Sequence, residues 1–470
     1  MKRVLQIFLI CISFTAFSYA QNSNAQVIRL KYSFDISNIN DRVRTALFSP
    51  DGKKVLLVNE NSTQVWSAET GNFLFTFPEK ISLKDGDALK WQPNGTKILQ
   101  YKTYLLDKNS PARLWDTESG KMITAMNETH GVKKAEWNDS GDRILTVGDY
   151  EYSIDNKEVS LSVRDENGKS IRTDSIRTFS LLSIQFANDG NNIIESYRVD
   201  YRYDFKDKPI RIYNADTGAL LRSYDQELKK LSSFEYAIFR AESPDGKFVC
   251  GQVHQSKGVT CWKNAGSESP LYYLLDNKQT GDISFLSFSL DSNSFAVSKP
   301  KQKVIEIVDA ETGRVKVSLN NPNKARLNFY PNSSDYTSSG DSWSPTGKFF
   351  IATNFEKEAN IWNAQTGEPV AKLPVIYGEN WDWFVGTLVS DYEAFSFHPS
   401  EKILLSVSNK VVRLWKPETG ELLQEIKETN KNKSKELFQR FVARWSPDGN
   451  LLMTAANENK SVLLWEVFRK

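Results

Sequence analysis

The stretch WSPTGKFFIATNFEKEANIWNAQTG, residues 343–367, decides the fold because both of its motifs recur along the chain. Its first anchor, WSPTG, is an aromatic residue followed by a tight turn that ends at Gly347. Its second anchor, IWNAQTG around Trp362, is an apolar residue, an aromatic one and a polar stretch that closes on glycine. The run from Phe349 to Ala352 is apolar, which is typical of a strand covered on both faces.

Both anchors occur nine times, and this repetition is the strongest signal in the sequence. The first anchors end at Gly52, Gly95, Gly141, Gly190, Gly246, Ser292, Gly347, Glu401 and Gly449. The second anchors centre on Trp66, Trp115, Arg164, Tyr213, Trp262, Val308, Trp362, Trp415 and Trp465. From Trp66 to Trp262, successive second anchors are 49 residues apart four times in a row. Each unit predicts four short strands, and such a sheet buries both faces only between neighbouring sheets in a ring.

The paired anchors resemble WD40 repeats, and the resemblance covers essentially the whole chain after residue 20. It implies an all-β fold, a single closed β-propeller of four-stranded blades. Nine copies predict nine blades, and eight blades with one degenerate repeat left over is the alternative. The Gly-His pair that opens a typical repeat survives only as His130-Gly131, and asparagine replaces the usual aspartate at Asn409 and Asn457. These departures favour a bacterial, secreted variant and do not predict the hydrogen-bonded tetrad of eukaryotic members.

The two ends of the chain are expected to close the ring. The last repeat stops after its third strand, at Trp465 to Phe468, so its blade lacks an outer strand. Residues 27–36, VIRLKYSFDI, alternate as an outer strand does and have no blade of their own. We therefore predict that they complete the last blade.

The N-terminal residues have the layout of a cleavable secretory signal. Two basic residues precede an apolar run at residues 4–17, and the small-residue pattern SYA ends at Ala20. We predict that residues 1–20 are a signal peptide, that residues 21–470 form the propeller, and that the protein is exported to the periplasm or secreted. A retained membrane anchor is the alternative, although the run is shorter than the roughly 20 residues that span a bilayer.

Charge and composition limit the classes of partner. The formal net charge is +2, and the predicted signal carries two positive and no negative residues, so the remaining chain is neutral. A neutral chain offers no basic footprint for nucleic acid, and we expect no nucleic-acid partner. No second segment is long and apolar enough to cross a membrane, and no low-complexity linker divides the chain. We therefore expect one monomeric unit with no transmembrane segment after signal removal.

Two cysteines, Cys250 and Cys261, remain after the predicted signal. They lie on two predicted strands joined by a turn near Ser256. Cross-strand neighbours in such a hairpin can form a disulfide in an oxidising compartment. Two half-buried thiols, one register apart, fit the pattern equally well.

Variation in length is predicted on one face of the disc. Both anchor turns of each blade lie on one face, the anchor face, and hardly vary. The other connections lie on the opposite face, where long hairpins are predicted at residues 100–112, 148–160 and 197–209, and inserted loops at residues 320–341 and 374–393. We call this opposite side the insertion face. Repeat proteins usually bind partners through insertions on one face, so we predict a protein-interaction scaffold, with drift of exposed loops as the alternative.

Two tryptophans stand outside the anchors. Ten of the 12 belong to anchors and have a predicted packing role, whereas Trp381 and Trp383 flank Asp382 in the inserted loop YGENWDWF. Aromatic side chains in a loop suit contact with a sugar ring or a protein patch. These three are candidate binding residues, and glycan or small-ligand binding is the second functional hypothesis. The alternative is that the two tryptophans fasten the loop to the rim.

The hairpin ESYRVDYRYDFKDKP supplies a second candidate contact strip. Its alternation places Tyr197 and Tyr201 on one side of a strand and Arg198 and Arg202 on the other. A projecting ribbon without a binding role is the alternative.

Catalytic patterns are largely missing from the sequence. The three histidines, His130, His254 and His398, lack metal-ligand spacing, and no nucleophile elbow, phosphate-binding glycine loop or CxxC motif occurs. We predict no enzymatic activity, no metal site and no cofactor. A propeller enzyme with carboxylates lining its channel is the third hypothesis, because one sequence cannot pair residues across blades.

Overall fold

The computed structural model of the chain describes most of the repeat region. The described ranges are 18–20, 27–35, 43–59, 62–78, 87–102, 110–148, 157–178, 181–187, 189–197, 210–223, 237–253, 258–263, 272–274, 285–299, 304–320, 342–353, 358–374, 394–407, 411–427, 441–456 and 461–468.

The described residues form nine antiparallel sheets, which follow one another along the chain. Two strands precede the repeats, β1 (Ser18–Ala20) and β2 (Ile28–Asp35). Sheet 1 contains β3 (Val43–Phe48), β4 (Lys54–Asn59), β5 (Thr63–Ser67) and β6 (Phe73–Thr76). Sheet 2 contains β7 (Asp87–Trp91), β8 (Lys97–Lys102), β9 (Ala112–Asp116) and β10 (Met122–Met126). Sheet 3 contains β11 (Val132–Trp137), β12 (Arg143–Gly148), β13 (Lys157–Asp165) and β14 (Ser170–Thr178).

The next three sheets repeat this order of an inner strand, two middle strands and an outer strand. Sheet 4 contains β15 (Leu181–Phe186), β16 (Asn192–Tyr197), β17 (Ile210–Asn214) and β18 (Leu220–Ser223). Sheet 5 contains β19 (Ala237–Glu242), β20 (Phe248–Val253), β21 (Gly258–Lys263) and β22 (Tyr272–Leu274). Sheet 6 contains β23 (Phe285–Phe288), β24 (Ser294–Lys299), β25 (Val304–Asp309) and β26 (Val315–Asn320).

The last three sheets vary the pattern. Sheet 7 contains β27 (Phe349–Thr353), β28 (Glu358–Asn363) and β29 (Pro369–Pro374), with a single bridge from Trp343 to Phe350 at the inner position. Sheet 8 contains β30 (Ala394–Phe397), β31 (Leu404–Val407), β32 (Val411–Lys416) and β33 (Glu421–Lys427), and β1 pairs with β33. Sheet 9 contains β34 (Phe441–Trp445), β35 (Leu451–Ala456) and β36 (Ser461–Val467).

The outer strand of sheet 9 comes from the other end of the chain. β2 pairs antiparallel with β36, in a register that runs from Ile28 opposite Val467 to Asp35 opposite Ser461. Outer strands of other sheets come from their own repeat, so this pairing joins the two ends of the described repeat region in one sheet.

The core consists of nine apolar clusters, and each cluster lies between two neighbouring sheets. The cluster between sheets 9 and 1 contains Phe34, Val55 and Leu464, all fully buried. Apolar residues on both sides of each middle strand are therefore needed, which explains the continuous apolar runs in the sequence. The described sheets pack in a closed ring, since the ninth cluster joins the last sheet to the first.

The cysteines of sheet 5 are bonded to each other. Cys250 on β20 lies directly opposite Cys261 on β21, with the Cα atoms 4.1 Å apart. Both side chains are fully buried in the cluster between sheets 5 and 6, not half-buried.

The strands account for all the regular structure in the described residues. None of those residues belongs to a helix long and apolar enough to cross a membrane.

Candidate interaction surface

The first residue of several first-anchor turns ties its sheet to the next one. Gln92 Nε2 donates to the backbone oxygen of Gly141 at 2.7 Å, and Asn138 Nδ2 donates to that of Gly190 at 2.9 Å. These donors are buried, so each bond replaces water that the side chain has lost. The turns on the anchor face are thus linked from sheet to sheet.

His398 makes the same link between sheets 8 and 9. The backbone N–H of Ser400 donates to His398 Nδ1 at 3.0 Å, which assigns the ring proton to Nε2. His398 Nε2 then donates to the backbone oxygen of Gly449 at 2.7 Å. The ring is 1% exposed and meets Trp445 edge-on, so this histidine has a structural role.

The two first anchors without glycine make the link in the opposite direction. Ser292 and Glu401 keep the left-handed backbone of the other turns, with φ of 62° and 60°. Ser292 Oγ accepts the backbone N–H of Asp245 at 3.0 Å, and the Glu401 carboxylate accepts the backbone N–H and the hydroxyl of Thr346. In both cases a side chain that glycine lacks reaches back to the preceding sheet.

The second-anchor turns are also committed to packing. At Gly120, with φ of 68°, an added Cβ would lie 2.6 Å from Phe75 on the outer strand of sheet 1. Gly71 is covered in the same way by Tyr32 of β2, whose hydroxyl donates to the backbone oxygen of Glu69 at 2.6 Å. Thus β2 covers the turn of sheet 1 just as β6 covers the turn of sheet 2.

Charged side chains add further links on the anchor face. Arg143 on sheet 3 forms an ion pair with Asp216 on sheet 4 at 2.9 Å, and Lys54 Nζ on sheet 1 donates to Thr117 Oγ1 on sheet 2 at 3.1 Å. Together with the turn contacts, these links mean that much of the described anchor face is used to hold sheets together.

The second-anchor tryptophans lie between neighbouring sheets. Trp66, Trp115, Trp262, Trp362, Trp415 and Trp465 are all buried. Trp115 Nε1 donates to Gln100 Oε1 at 3.0 Å, and Trp465 Nε1 donates to Thr454 Oγ1 at 2.8 Å. Their role is therefore structural.

Sheet 3 replaces the tryptophan with a buried ion pair. Arg164 Nε donates to Thr146 Oγ1 at 3.1 Å, the position that the indole N–H takes in other sheets. Arg164 also pairs with Glu128 at 3.0 Å, and the two side chains are 11% and 2% exposed. Removing either partner would leave a buried charge unpaired, so this substitution also has a packing explanation.

Charged side chains on the inner strand of sheet 3 cover the free edge of sheet 4. Lys134 Nζ donates to the backbone oxygen of Ile184 at 2.5 Å, and the backbone N–H of Phe186 donates to Glu136 Oε1 at 2.6 Å. Burial lowers the pKa of Lys90 on sheet 2, with Glu136 opposing the shift and Lys134 adding to it. These charges serve the junctions between inner strands.

One carboxyl near the same strands has a raised pKa. Burial raises the pKa of Asp139, and the neighbouring carboxylates of Asp189 and Glu136 raise it further. Within the described ranges, no three His, Cys, Asp or Glu side chains are grouped closely enough to hold a metal ion. The raised pKa at Asp139 reflects burial first and the neighbouring acids second.

Most of the residues named from the insertion face lie outside the described ranges. These are Trp381, Asp382, Trp383, Arg198, Tyr201 and Arg202. Tyr197 is the last residue of β16 and lies opposite Leu181 on the inner strand. The predicted hairpin at 148–160 is described at both ends, where β12 ends at Gly148 and β13 begins at Lys157. The binding role of the named residues stays a prediction.

An exposed apolar band on the rim was missed by the sequence analysis. On the outer strands of sheets 1, 2 and 4, two adjacent apolar residues are each between 39% and 51% exposed. They are Phe73, Leu74, Met122, Ile123, Leu220 and Leu221. Each pair follows closely after the second-anchor glycine. The sequence signal for this band was therefore two adjacent apolar residues at the start of an outer strand, where a half-exposed strand needs only one apolar residue.

Comparison with known proteins supports the fold and no closer relationship. No family model matches the chain, and no curated protein matches it. Among solved structures, the crystal structure of the eukaryotic initiation factor superposes with a TM-score of 0.58 at 11% identity, over 86% of this chain and 91% of that one. The C-terminal WD40 domain of Sif2 aligns over 95% of this chain and 100% of its own length, with 11% identity and a TM-score of 0.46. The repeated anchors, the ring of sheets and the likeness to the initiation factor structure together identify the fold of this chain as a WD40-type β-propeller.

Proposed function

We propose that this protein is an exported scaffold that binds a protein partner through the insertion face. The observation that carries the proposal is a difference between the two faces. Described turns on the anchor face are tied from sheet to sheet, as in the Gln92 to Gly141 and His398 to Gly449 bonds. The long connections of the sequence are predicted on the other face. Their lengths vary from blade to blade, and variable loops on a rigid scaffold commonly carry binding residues.

Photo-crosslinking in the natural cell envelope tests which face binds. A photoreactive residue at Asp382 reports on the insertion face, and one at Glu118, an exposed residue of a second-anchor turn, serves as the matched control. The proposal expects one discrete adduct from position 382 and none from position 118. Adducts from position 118 alone would contradict it.

A deletion separates binding from folding. Replacing residues 374–393 with a short Gly-Ser linker should abolish capture of the crosslinked partner by the immobilised chain, which carries no photoreactive residue in this assay. The unfolding midpoint should stay nearly unchanged, since a change in the length of a surface loop costs little free energy. Replacing residues 428–440, between sheets 8 and 9 on the same face, is the control and should retain capture. Loss of capture in both variants would point to the fold of the face rather than the inserted loop.

Export is supported by the leader pattern and by the buried disulfide. Disulfides persist in oxidising compartments, and Cys250 and Cys261 are bonded and inaccessible to solvent. Sequencing the N-terminus of the protein made in its natural host should give Gln21, and thiol labelling of the unfolded, unreduced chain should find no free cysteine. An N-terminus at Met1 with three free thiols, from Cys11, Cys250 and Cys261, would place the protein in a reducing compartment.

Glycan binding is the alternative for the same face, because Trp381 and Trp383 are the two tryptophans outside the anchors. It predicts saturable quenching of tryptophan fluorescence by a carbohydrate, lost when both are changed to alanine. A broad glycan panel without quenching, together with a protein adduct at position 382, would favour the scaffold. The proposal assigns no catalytic step to the chain, in keeping with the scaffold role typical of WD40 propellers.

A further inference from the structure

The outer edge of sheet 8 carries a fifth strand. β1 pairs antiparallel with β33, with Ser18 opposite Lys427, Tyr19 opposite Ile426 and Ala20 opposite Glu425. Among the described sheets, this is the one case in which a strand is added to a sheet that already has its own four strands. The edge of β33 is therefore able to bind an extended backbone.

The side chains of β33 define what such a strand should look like. Ile426 is 1% exposed and belongs to the apolar cluster between sheets 8 and 9, whereas Lys427 is exposed. Glu425 pairs with Arg413 at 2.8 Å and with Lys427 at 2.6 Å, so both of its oxygens are already engaged. Because the carboxylate of Glu425 is already engaged by these two cations, a cation opposite it gains no new ion pair, and the edge favours an uncharged strand. Small polar residues suit the positions opposite Glu425 and Lys427, with an apolar or aromatic residue between them.

The occupant seen here belongs to the predicted leader. Residues 1–20 end at Ala20, the last residue of β1, so removal of the leader would remove the whole fifth strand. The chain that remains is held next to this edge, because Gln424 Oε1 accepts the backbone N–H groups of Val27 and Ile28 at 3.2 and 3.1 Å. Cleavage would leave the edge of β33 open while its surroundings stay fixed.

We propose that, in the chain without residues 1–20, the outer edge of β33 binds an extended, uncharged peptide strand of a partner by antiparallel strand addition. Main-chain hydrogen bonds supply the affinity in this mode, and alternate side-chain positions supply the selectivity. The proposal rests on removal of the leader, which the N-terminal sequencing described above tests separately. It concerns the rim of the ring and is independent of the insertion face.

Disulfide trapping with the chain's own segment as the probe tests the register. A synthetic peptide of residues 14–22 with Ser18→Cys is incubated, under mild oxidation, with the chain 21–470 carrying Lys427→Cys. Directly opposite residues can be bridged, as Cys250 and Cys261 demonstrate in this protein. The matched control incubates the same peptide with a chain 21–470 that carries Ile426→Cys instead. The side chain at position 426 points to the opposite face of the strand. A second peptide, with Tyr19→Pro, removes a backbone donor and disfavours pairing.

The expected result is a mixed disulfide with the Lys427→Cys chain and none with the Ile426→Cys chain. An excess of the unlabelled peptide, which is the 14–22 peptide without the cysteine, should reduce the yield of mixed disulfide. An excess of the Tyr19→Pro peptide should not. Equal trapping at both positions, or trapping that the unlabelled peptide does not reduce, would overturn the proposal. Circular dichroism of both cysteine variants verifies that each chain is folded, so a negative result counts against the site.

Discussion

At the scale of single residues, two side chains explain how a turn without glycine is tolerated. Ser292 and Glu401 adopt a positive φ that costs an ordinary residue about 1 kcal/mol or more. Each side chain is buried and accepts a hydrogen bond from the backbone of the preceding sheet, as Ser292 Oγ does from Asp245. A typical net gain of about 1 kcal/mol for such a bond offsets the backbone cost. The exceptions to the repeat are thus consistent with its physics.

Ser292 allows this balance to be measured. Ser292→Ala keeps the unfavourable φ and loses the bond, whereas Ser292→Gly loses the bond but relieves the backbone. We expect Ser292→Ala to lower the free energy of unfolding by about 1 kcal/mol more than Ser292→Gly. Denaturant unfolding of the two variants and the parent measures the difference. Equal values for alanine and glycine would mean that the backbone cost at this turn is negligible.

Gly120 and Gly347 separate conformation from close approach. Both have a positive φ, at 68° and 72°, so alanine is strained at either position. A Cβ at Gly120 would lie 2.6 Å from Phe75, whereas the nearest atom to a Cβ at Gly347 is 3.9 Å away. We expect Gly120→Ala to destabilise the protein by about 1–3 kcal/mol more than Gly347→Ala, because overpacking adds to the strain. If denaturant midpoints move equally, the ring of Phe75 must yield at little cost.

At the scale of turns and strands, the first-anchor aspartates couple stability to acid. Burial raises the pKa of Asp448, but hydrogen bonds from Ser446 and Asn450 outweigh it and hold the pKa below the ordinary value. Three further first-anchor aspartates also have lowered pKa values. In each of them burial acts to raise the pKa and hydrogen bonds together with lysine charges outweigh it; they are Asp51, Asp245 and Asp291. A lowered folded-state pKa contributes stability above the unfolded value, near 3.9, and that contribution is lost as the pH falls through the folded value.

The thermal midpoint is accordingly expected to fall steeply once the pH drops below about 4. Asp448→Asn keeps an acceptor oxygen for the turn but removes the titration, so its loss of stability on acidification should be smaller than that of the parent. Midpoints measured from pH 7 down to pH 3 check this. An identical acid slope in Asp448→Asn would show that the titrating groups lie elsewhere.

The elements differ in how far the sequence can predict them. Turns such as the one ending at Gly52 are local, because proline, aspartate and glycine each favour one backbone conformation, so their places were predictable. Contacts between sheets were not. The bond from Gln92 to Gly141 joins residues 49 positions apart, and the choice of partner depends on how the sheets sit in the ring. The exposed pair Phe73 and Leu74 was missed for the same reason, since exposure at the rim is set by the ring.

The candidate binding residues show a further limit. The unusual place of Trp381 and Trp383 could be read from the repeat, because every other tryptophan has an anchor position. Whether they converge with Tyr201 and Arg202 could not be read from it, because that depends on long connections from different blades. These residues lie outside the described ranges, so the binding site on the insertion face stays a prediction.

At the scale of the whole molecule, closure of the ring rests on one strand from the far end of the chain. β2 pairs with β36, its Tyr32 covers Gly71, and its Phe34 stacks on Trp66 at 4.9 Å between ring centroids. Each junction of the ring has its own core cluster, so opening one junction leaves the other eight formed. Loss of β2 contacts should therefore loosen sheets 9 and 1 before the rest unfolds.

Phe34→Ala tests whether this junction is where the ring opens. The side chain is fully buried, and its truncation should cost about 3–5 kcal/mol at the junction of sheets 9 and 1. Leu30→Ala on the same strand is the control, because Leu30 is 37% exposed and its truncation should change stability by only about 0.5 kcal/mol. Native-state hydrogen exchange should then show faster exchange in β3, β4, β35 and β36 of the Phe34 variant, with sheets 4 and 5 unchanged. Uniform acceleration in all sheets would instead mean that the ring unfolds as one cooperative unit and that β2 has no special part in keeping it closed.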